Sequence, residues 1–176
     1  GSDGVSLETR KWVDVLERMG HECFFMAGEL DTPAERSMLV PECHFVHPRI
    51  VEVHQNCFGQ STRAPTVTRE IEEIKHALKR SLHEFVSRFD LDLVIPENAV
   101  TIPLNLPLGL AITEFAIETG LPMIAHHHDF FWERKRFLYN ACWDYLRKAF
   151  RWRRTWRCTT GRWPATMRCI CTTISR

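Results

Sequence analysis

The sequence has no apolar run that approaches the roughly 20 residues needed for a membrane-spanning helix. Its opening, GSDGVSLETR, shows neither the basic start nor the apolar stretch of a signal peptide. The 7 cysteines are odd in number and form no CxxC pair, which argues against a disulfide framework and a zinc ribbon. With 44% hydrophobic and 26% charged residues, we expect a globular cytoplasmic protein whose thiols are reduced.

Acidic residues and lysine are missing from residues 151–176, although this segment is rich in arginine, tryptophan, threonine and cysteine. All 22 Asp and Glu residues lie in residues 1–150. The abrupt change in composition favours an out-of-frame translation, which predicts a disordered or poorly packed segment. A nucleic-acid-binding arm and an unusual genuine tail are the alternatives. The spacing of Cys158, Cys169 and Cys171 disfavours a metal site there.

Helical and short apolar segments alternate along residues 1–150. Apolar residues at helical spacing predict helices at about 5–19, 66–89, 104–119 and 133–150. Apolar runs predict buried strands in ECFFMAG, LDLVIP and LPMIA, with a further candidate strand in CHFVHPRI. This alternation is typical of an α/β fold with a doubly wound parallel sheet. Because GSDGVS has the form of a strand-to-helix loop, we expect the first strand of that fold to be missing from the sequence.

Three polar motifs occupy positions where such a sheet binds ligands, at the carboxyl ends of the strands. The first is GSDG, whose residues Gly1, Ser2, Asp3 and Gly4 can present backbone N–H groups to a phosphate or a sugar at a helix start. A tight turn that needs glycine explains the motif equally well. The second is PENA, in which Glu97 and Asn98 can bind ligand hydroxyls or else form a turn and a helix cap.

The third motif, HHHD, spans residues 126–129. Adjacent residues of an extended chain point to opposite faces, so the three histidines cannot all converge on one ion, and we predict no metal site. A histidine at a strand end can hydrogen-bond a substrate hydroxyl while Asp129 fixes its tautomer; exposed loop histidines are the alternative. The aromatic residues that follow, Phe130, Phe131 and Trp132, either stack on a ligand or anchor the next helix in the core.

Two long stretches resemble a known family. GSDGVSLETRKWVDVLERMGHECFFMAGELD resembles the opening of family-four-type glycosyltransferases. LDLVIPENAVTIPLNLPLGLAITEFAIETGLPMIAHHHDFFWERKRF is similar to a stretch that ends in HHDFxWER in a bacterial and archaeal branch of that family. The resemblance covers residues 1–150. It implies the Rossmann-like, acceptor-side N-terminal domain of a GT-B fold, in a truncated chain.

The resemblance also implies functional residues and partners. Gly1 and Gly4 match the glycine loop near donor phosphates and acceptor, and His128, followed by Asp129, matches the histidine that approaches the transferred sugar. Asp129 or His127 would orient that histidine, and Glu97 and Asn98 would make second-tier contacts. The implied reaction transfers a sugar, with retention, from a nucleotide sugar to an acceptor, without a metal or other cofactor.

The domain that would bind most of the donor, with its Glu-x7-Glu motif, has no counterpart in the sequence, so we expect the chain alone to be inactive. We expect no nucleic-acid partner, and membrane contact only through the acceptor. A non-catalytic Rossmann-like module that binds a sugar or nucleotide is the main alternative, and an RNA binder acting through residues 151–176 is a third.

Overall fold

The computed structural model describes residues 4–150, Thr166 and residues 168–173. Its single described sheet has four parallel strands in the order β2-β1-β4-β3. The strands are β1 (Glu22–Ala27), β2 (Ser37–Leu39), β3 (Leu93–Glu97) and β4 (Arg168–Thr173). The helices are α1 (Gly4–Arg18), α2 (Pro48–Cys57), α3 (Pro65–Phe89), α4 (Leu106–Thr119), α5 (Lys135–Leu138) and α6 (Trp143–Ala149). The predicted α/β class with a parallel sheet is therefore confirmed.

Side chains of the central strands alternate between two apolar clusters, as the two-residue period of a strand requires. Cys23 and Leu93 belong to a small cluster with Leu16 of α1. Their sequence neighbours Phe24 and Val94 point the other way, into a larger cluster that holds the apolar faces of α2, α3, α4 and α6. Helices thus cover both faces of the sheet, and both faces of β1 and β3 are buried.

The two long helices follow their sequence signals. The predicted helix at 66–89 is confirmed as α3, and its apolar stripe is buried: Ile71, Ile74, Leu78, Leu82, Phe85 and Phe89. In α4, the side chain of Asn105 caps the first turn by accepting a hydrogen bond from the N–H of Leu108 at 3.1 Å. Gly120, at φ 66°, ends that helix in the left-handed conformation that glycine adopts without steric cost.

The predicted continuous helix at 133–150 is wrong: it is split into α5 and α6. Asn140 interrupts it, because its side-chain amide donates to the carbonyl of Phe137 at 2.7 Å and its Oδ1 accepts from the N–H of Cys142 at 2.9 Å. The backbone around Asn140 pairs instead with the end of α2, where Ala141 donates to the carbonyl of Cys57 at 2.8 Å. A short polar side chain that satisfies the local backbone competes with the helix.

The candidate strand in CHFVHPRI is also wrong. A 3-10 turn, Pro41–Cys43, ends on the first residue of the motif, and the final residues of the motif, Pro48, Arg49 and Ile50, open α2. Proline suits a first helical turn because its missing N–H has no partner there in any case. The edge strand lies earlier, as β2, where Ser37 pairs with Phe25.

Strand β4 comes from the basic segment, in which the sequence predicted no strand. It lies between β1 and β3, with Cys169 opposite Cys23 and Leu93, and Ile170 opposite Phe24 and Val94. This pairing differs from the disorder expected of residues 151–176, whose out-of-frame origin stays a prediction. Of the rest of the segment, only Thr166 lies within the described residues. None of the described helices is long and apolar enough to cross a membrane.

Candidate active site

The motifs PENA and HHHD meet at the carboxyl end of β3. Residues 122–126 run parallel to β3 on its outer side: Ile124 donates to the carbonyl of Val94 at 2.9 Å, and His126 donates to that of Pro96 at 3.1 Å. The N–H of Asn98 then donates to the carbonyl of His126 at 2.8 Å. The strand predicted in LPMIA therefore lies beside β3 as two isolated parallel bridges rather than a continuous ladder.

Glu97 is the centre of a cluster with two of the three histidines. Its side chain is fully buried, and its Oε2 lies 2.7 Å from Nδ1 of His126 and 3.4 Å from Nε2 of His128. The two imidazole rings lie 4.8 Å apart between centroids. Residues i and i+2 of an extended chain share a face, which is why His126 and His128 converge while His127 points elsewhere.

Asn98 links the two motifs through its side chain. It has φ 59°, in the left-handed region that asparagine tolerates better than most residues. Its Oδ1 accepts hydrogen bonds from the backbone N–H of His128 at 3.3 Å and from the hydroxyl of Thr101 at 3.2 Å. Its amide donates to Oδ1 of Asp129 at 3.4 Å. One asparagine therefore fixes the position of the HHHD backbone.

His127 turns away from Glu97 toward the loop after β3. Its Nδ1 lies 2.7 Å from the hydroxyl of Thr101, and its ring lies 5.6 Å from that of Phe130. Burial lowers the pKa of His127, with smaller contributions in the same direction from His126 and His128. A neutral imidazole is therefore favoured at this position.

Asp129 has a different partner from the one we expected. Its carboxylate forms an ion pair with the guanidinium of Arg134, whose Nε lies 2.6 Å from Oδ2. The ring of His128 is held by Glu97 instead. Asp129 thus lies beside the histidines. Contrary to our expectation, the structure does not show Asp129 or His127 orienting the ring of His128.

Helix α1 covers the same edge. The indole of Trp12 lies edge-on to the imidazole of His126, with ring centroids 5.3 Å apart. A hydrogen bond from Lys11, at 2.6 Å, lowers the pKa of the exposed Glu8 one turn earlier in α1. Gly4 is the first residue of α1 and has open space beside it. The predicted contacts Gly1, Ser2 and Asp3 lie outside the described residues.

In the FFW segment, anchoring in the core is confirmed for Phe131, whereas stacking on a ligand stays a prediction. Phe131 is buried and belongs to the core, whereas Trp132 is 45% exposed. Trp132 stacks on Phe130 with ring centroids 4.5 Å apart and planes 10° apart. Next to this pair is a cavity of about 550 Å³, lined by Phe131, Trp132, Trp143, Leu146, Arg147 and Phe150. Aromatic surface therefore continues from His127 to the cavity.

Sequence reasoning missed three residues of this site: His126, Thr101 and Trp12. The two-residue alternation along HHHD was a usable signal for His126, because it puts residues 126 and 128 on one face. The other two reach the site only through the packing of α1 and of the loop after β3. No short-range pattern in the sequence indicates those positions.

A buried carboxylate, paired histidines and a hydrogen-bonded asparagine at the carboxyl end of parallel strands form a candidate polar ligand site in an α/β domain. Two curated relatives match most of the chain, and both are named mannosylglucosylglycerate synthase, a glycosyltransferase. The relative from Thermotoga maritima is 33% identical over 143 residues, which is 77% of this chain and 31% of the relative. The relative from Petrotoga mobilis is 30% identical over 158 residues, which is 84% of this chain and 33% of the relative.

The chain thus spans about a third of the length of the curated relatives that it matches. No protein-family model and no solved structure matches it.

Proposed function

We propose that this chain is the acceptor-side domain of a retaining, GT-B-type glycosyltransferase, which moves a sugar from a nucleotide-sugar donor to an acceptor. The observation that carries the proposal is the meeting of PENA and HHHD at the end of β3 in a chain related to sugar-transferring enzymes. Ligands of open parallel sheets bind at this edge. The polar groups gathered there are of the kind that recognise hydroxyls.

Each site residue has a proposed role. His128 contacts the transferred sugar, and Glu97 rather than Asp129 orients its ring. Asn98 and Asp129 hold the loop that carries His128, and His127 offers a neutral imidazole to the acceptor. Residues 1–4 are the proposed loop for phosphate and acceptor at the start of α1.

The name of the relatives suggests the substrates. A mannosylglucosylglycerate synthase joins a mannosyl group to glucosylglycerate, so we propose nucleotide-activated mannose as the donor and glucosylglycerate as the acceptor. Stabilisation of a leaving nucleotide requires donors and cations fixed around the diphosphate. Of the cations at the described part of the site, Arg134 is already paired with Asp129. We therefore propose that these 176 residues bind the acceptor but do not complete the transfer.

Calorimetric titration of the chain with glucosylglycerate tests the binding proposal. We expect saturable binding that weakens about tenfold in His128→Ala, because a lost hydrogen bond to a ligand costs on the order of 1–1.5 kcal/mol. His83→Ala is the matched control, since His83 lies on α3, half exposed and paired with Glu118. Absence of saturable binding, or equal weakening in both variants, contradicts the proposal.

A second experiment separates a transferase from a non-catalytic binding module. Residues 1–150 are fused to the remaining two-thirds of the Thermotoga maritima relative, and mannosyl transfer to glucosylglycerate is measured. We expect transfer by the fusion and its loss in the His128→Ala fusion. Binding without transfer in a folded fusion favours the module.

A further inference from the structure

Glu97, His126 and His128 bring three metal-ligand atoms together at the end of β3. One carboxylate oxygen and two imidazole nitrogens lie within 4.8 Å of one another. Ligand atoms of a tetrahedral zinc ion lie about 3.3 Å apart, given Zn–N and Zn–O bonds of about 2.0–2.2 Å. The 3.4 Å between Oε2 of Glu97 and Nε2 of His128 already fits this geometry. The 2.7 Å to Nδ1 of His126 would lengthen by about half an ångström. The two histidine nitrogens, for which the limit is 4.8 Å, would move to about 3.3 Å from each other on binding.

The burial of Glu97 supplies a reason for a cation at this place. The side chain is fully buried, both histidines approach Oε2, and Oε1 has no hydrogen-bond partner within the described part of the chain. A buried carboxylate is costly unless it is paired or coordinates a metal. A divalent cation coordinated by this carboxylate would compensate its charge.

We propose that Glu97, His126 and His128 bind a divalent transition-metal ion of the class that prefers imidazole, such as Zn²⁺, Co²⁺ or Ni²⁺. Two imidazoles and one carboxylate favour these ions over Mg²⁺ and Ca²⁺, which prefer oxygen ligands alone. The prediction of no metal considered three adjacent histidines together. The structure brings only residues 126 and 128 together and adds Glu97 from another strand.

The surroundings suit an ion with a free coordination position. The side chains of His126 and His128 are 25% and 23% exposed, so a ligand oxygen can approach from solvent. Asn98 holds the backbone of His128, and Trp12 packs against the ring of His126 and restricts it. The ion would bind Nε2 of His128, the nitrogen that otherwise faces Glu97. Metal binding is measurable without sugar transfer, so the two proposals can fail separately.

Cobalt titration of the chelator-treated chain tests the inference. Cys158, Cys169 and Cys171 are first replaced by serine, so that thiolates of the basic segment cannot supply ligands. We expect visible ligand-field absorption that saturates at one Co²⁺ per chain and disappears when Zn²⁺ is added. Glu97→Gln, His126→Ala and His128→Ala are each expected to weaken cobalt binding at least 10- to 100-fold. Loss of a residue that only hydrogen-bonds a metal ligand already lowers metal affinity by that factor.

His127→Ala is the matched control, because His127 belongs to the same histidine run but contacts Thr101 instead of Glu97. We expect its cobalt affinity to stay within about twofold of the parent chain. Circular dichroism of each variant confirms that it is folded, and the partly exposed His128 gives a readout even if Glu97→Gln unfolds the buried site. The inference is overturned if the parent chain shows no stoichiometric binding. It is equally overturned if the folded His128→Ala variant binds as tightly as the parent, or if His127→Ala loses affinity to the same extent.

Discussion

The side-chain oxygen of Asn98 accepts a hydrogen bond from the backbone N–H of His128, at 3.3 Å, across the gap between two neighbouring strand ends. The pair are 30 residues apart in sequence. This contact joins PENA to HHHD and sets where the histidine run leaves the sheet. Both the backbone conformation and the side chain of Asn98 are therefore under constraint.

Substitution of Asn98 separates these two constraints. Asn98→Gly keeps the φ of 59° accessible but removes the side-chain hydrogen bonds, and we expect a loss of about 1–2 kcal/mol in the free energy of unfolding. Asn98→Ala adds the steric cost of the left-handed conformation and should lose about 1 kcal/mol more. Urea denaturation measures both. An alanine variant as stable as the glycine variant contradicts the assigned backbone strain.

Close packing of Gly109 against Phe150 gives a second prediction. A Cβ added at Gly109 would lie 2.2 Å from the ring of Phe150, which is buried. Gly109→Ala should therefore destabilise the chain by about 1–3 kcal/mol through overpacking. Phe150→Leu in the same chain provides space and should recover part of that loss. Thermal unfolding of the two single variants and the double variant gives the coupling, and simple additivity of the two losses contradicts the contact.

The ion pair of Arg63 with Asp144 predicts an acid-sensitive contribution to stability. The hydrogen bond from Arg63 lowers the pKa of Asp144 below its usual 3.8, and Nη2 lies 2.6 Å from Oδ2. The stabilisation is therefore present above pH 3.8 and is lost as the pH falls through the lowered pKa. We expect Asp144→Asn to be less stable than the parent at neutral pH and to converge with it in acid. Because the carboxylate is 53% exposed, the difference at neutral pH should be small. A difference that grows as the pH falls contradicts the assignment.

His54 should also make the folded chain less stable as the pH falls. In this case the folded state disfavours the protonated, positively charged form of the side chain. Burial lowers the pKa of His54 below its usual 6.5, and Arg136 contributes in the same direction. Below pH 6.5 the unfolded chain therefore takes up a proton that the folded chain binds less readily. The free energy of unfolding consequently decreases as the pH is lowered. His54→Gln should remove this part of the slope. The measurement is the free energy of unfolding of both chains at a series of pH values around 6.5. The same pH dependence in the variant and the parent contradicts the lowered pKa of His54.

The sequence predicted those features that depend on local patterns. The apolar stripe of α3 and the helix end at Gly120 both follow from residues within a few positions of one another. The split between α5 and α6 does not, because it depends on Asn140 and on pairing with the distant end of α2. Strand β4 likewise forms only through its neighbours β1 and β3.

The site shows the same division. The position of Glu97 and His128 at a ligand-binding edge followed from the strand pattern and from the resemblance. The partner of His128 did not, because a contact 31 residues away in sequence competes with the adjacent Asp129. Asp129 is instead taken up by Arg134, five residues further along the chain.

The most direct test of the sugar-site account is NMR of the histidine ring protons during titration with glucosylglycerate. The account predicts that resonances of His126, His127 and His128 shift together and saturate. Those of His76 and His83, about half exposed on α3, should stay unchanged. Saturable shifts confined to His76 and His83, or no shift at any histidine at saturating ligand, would contradict it.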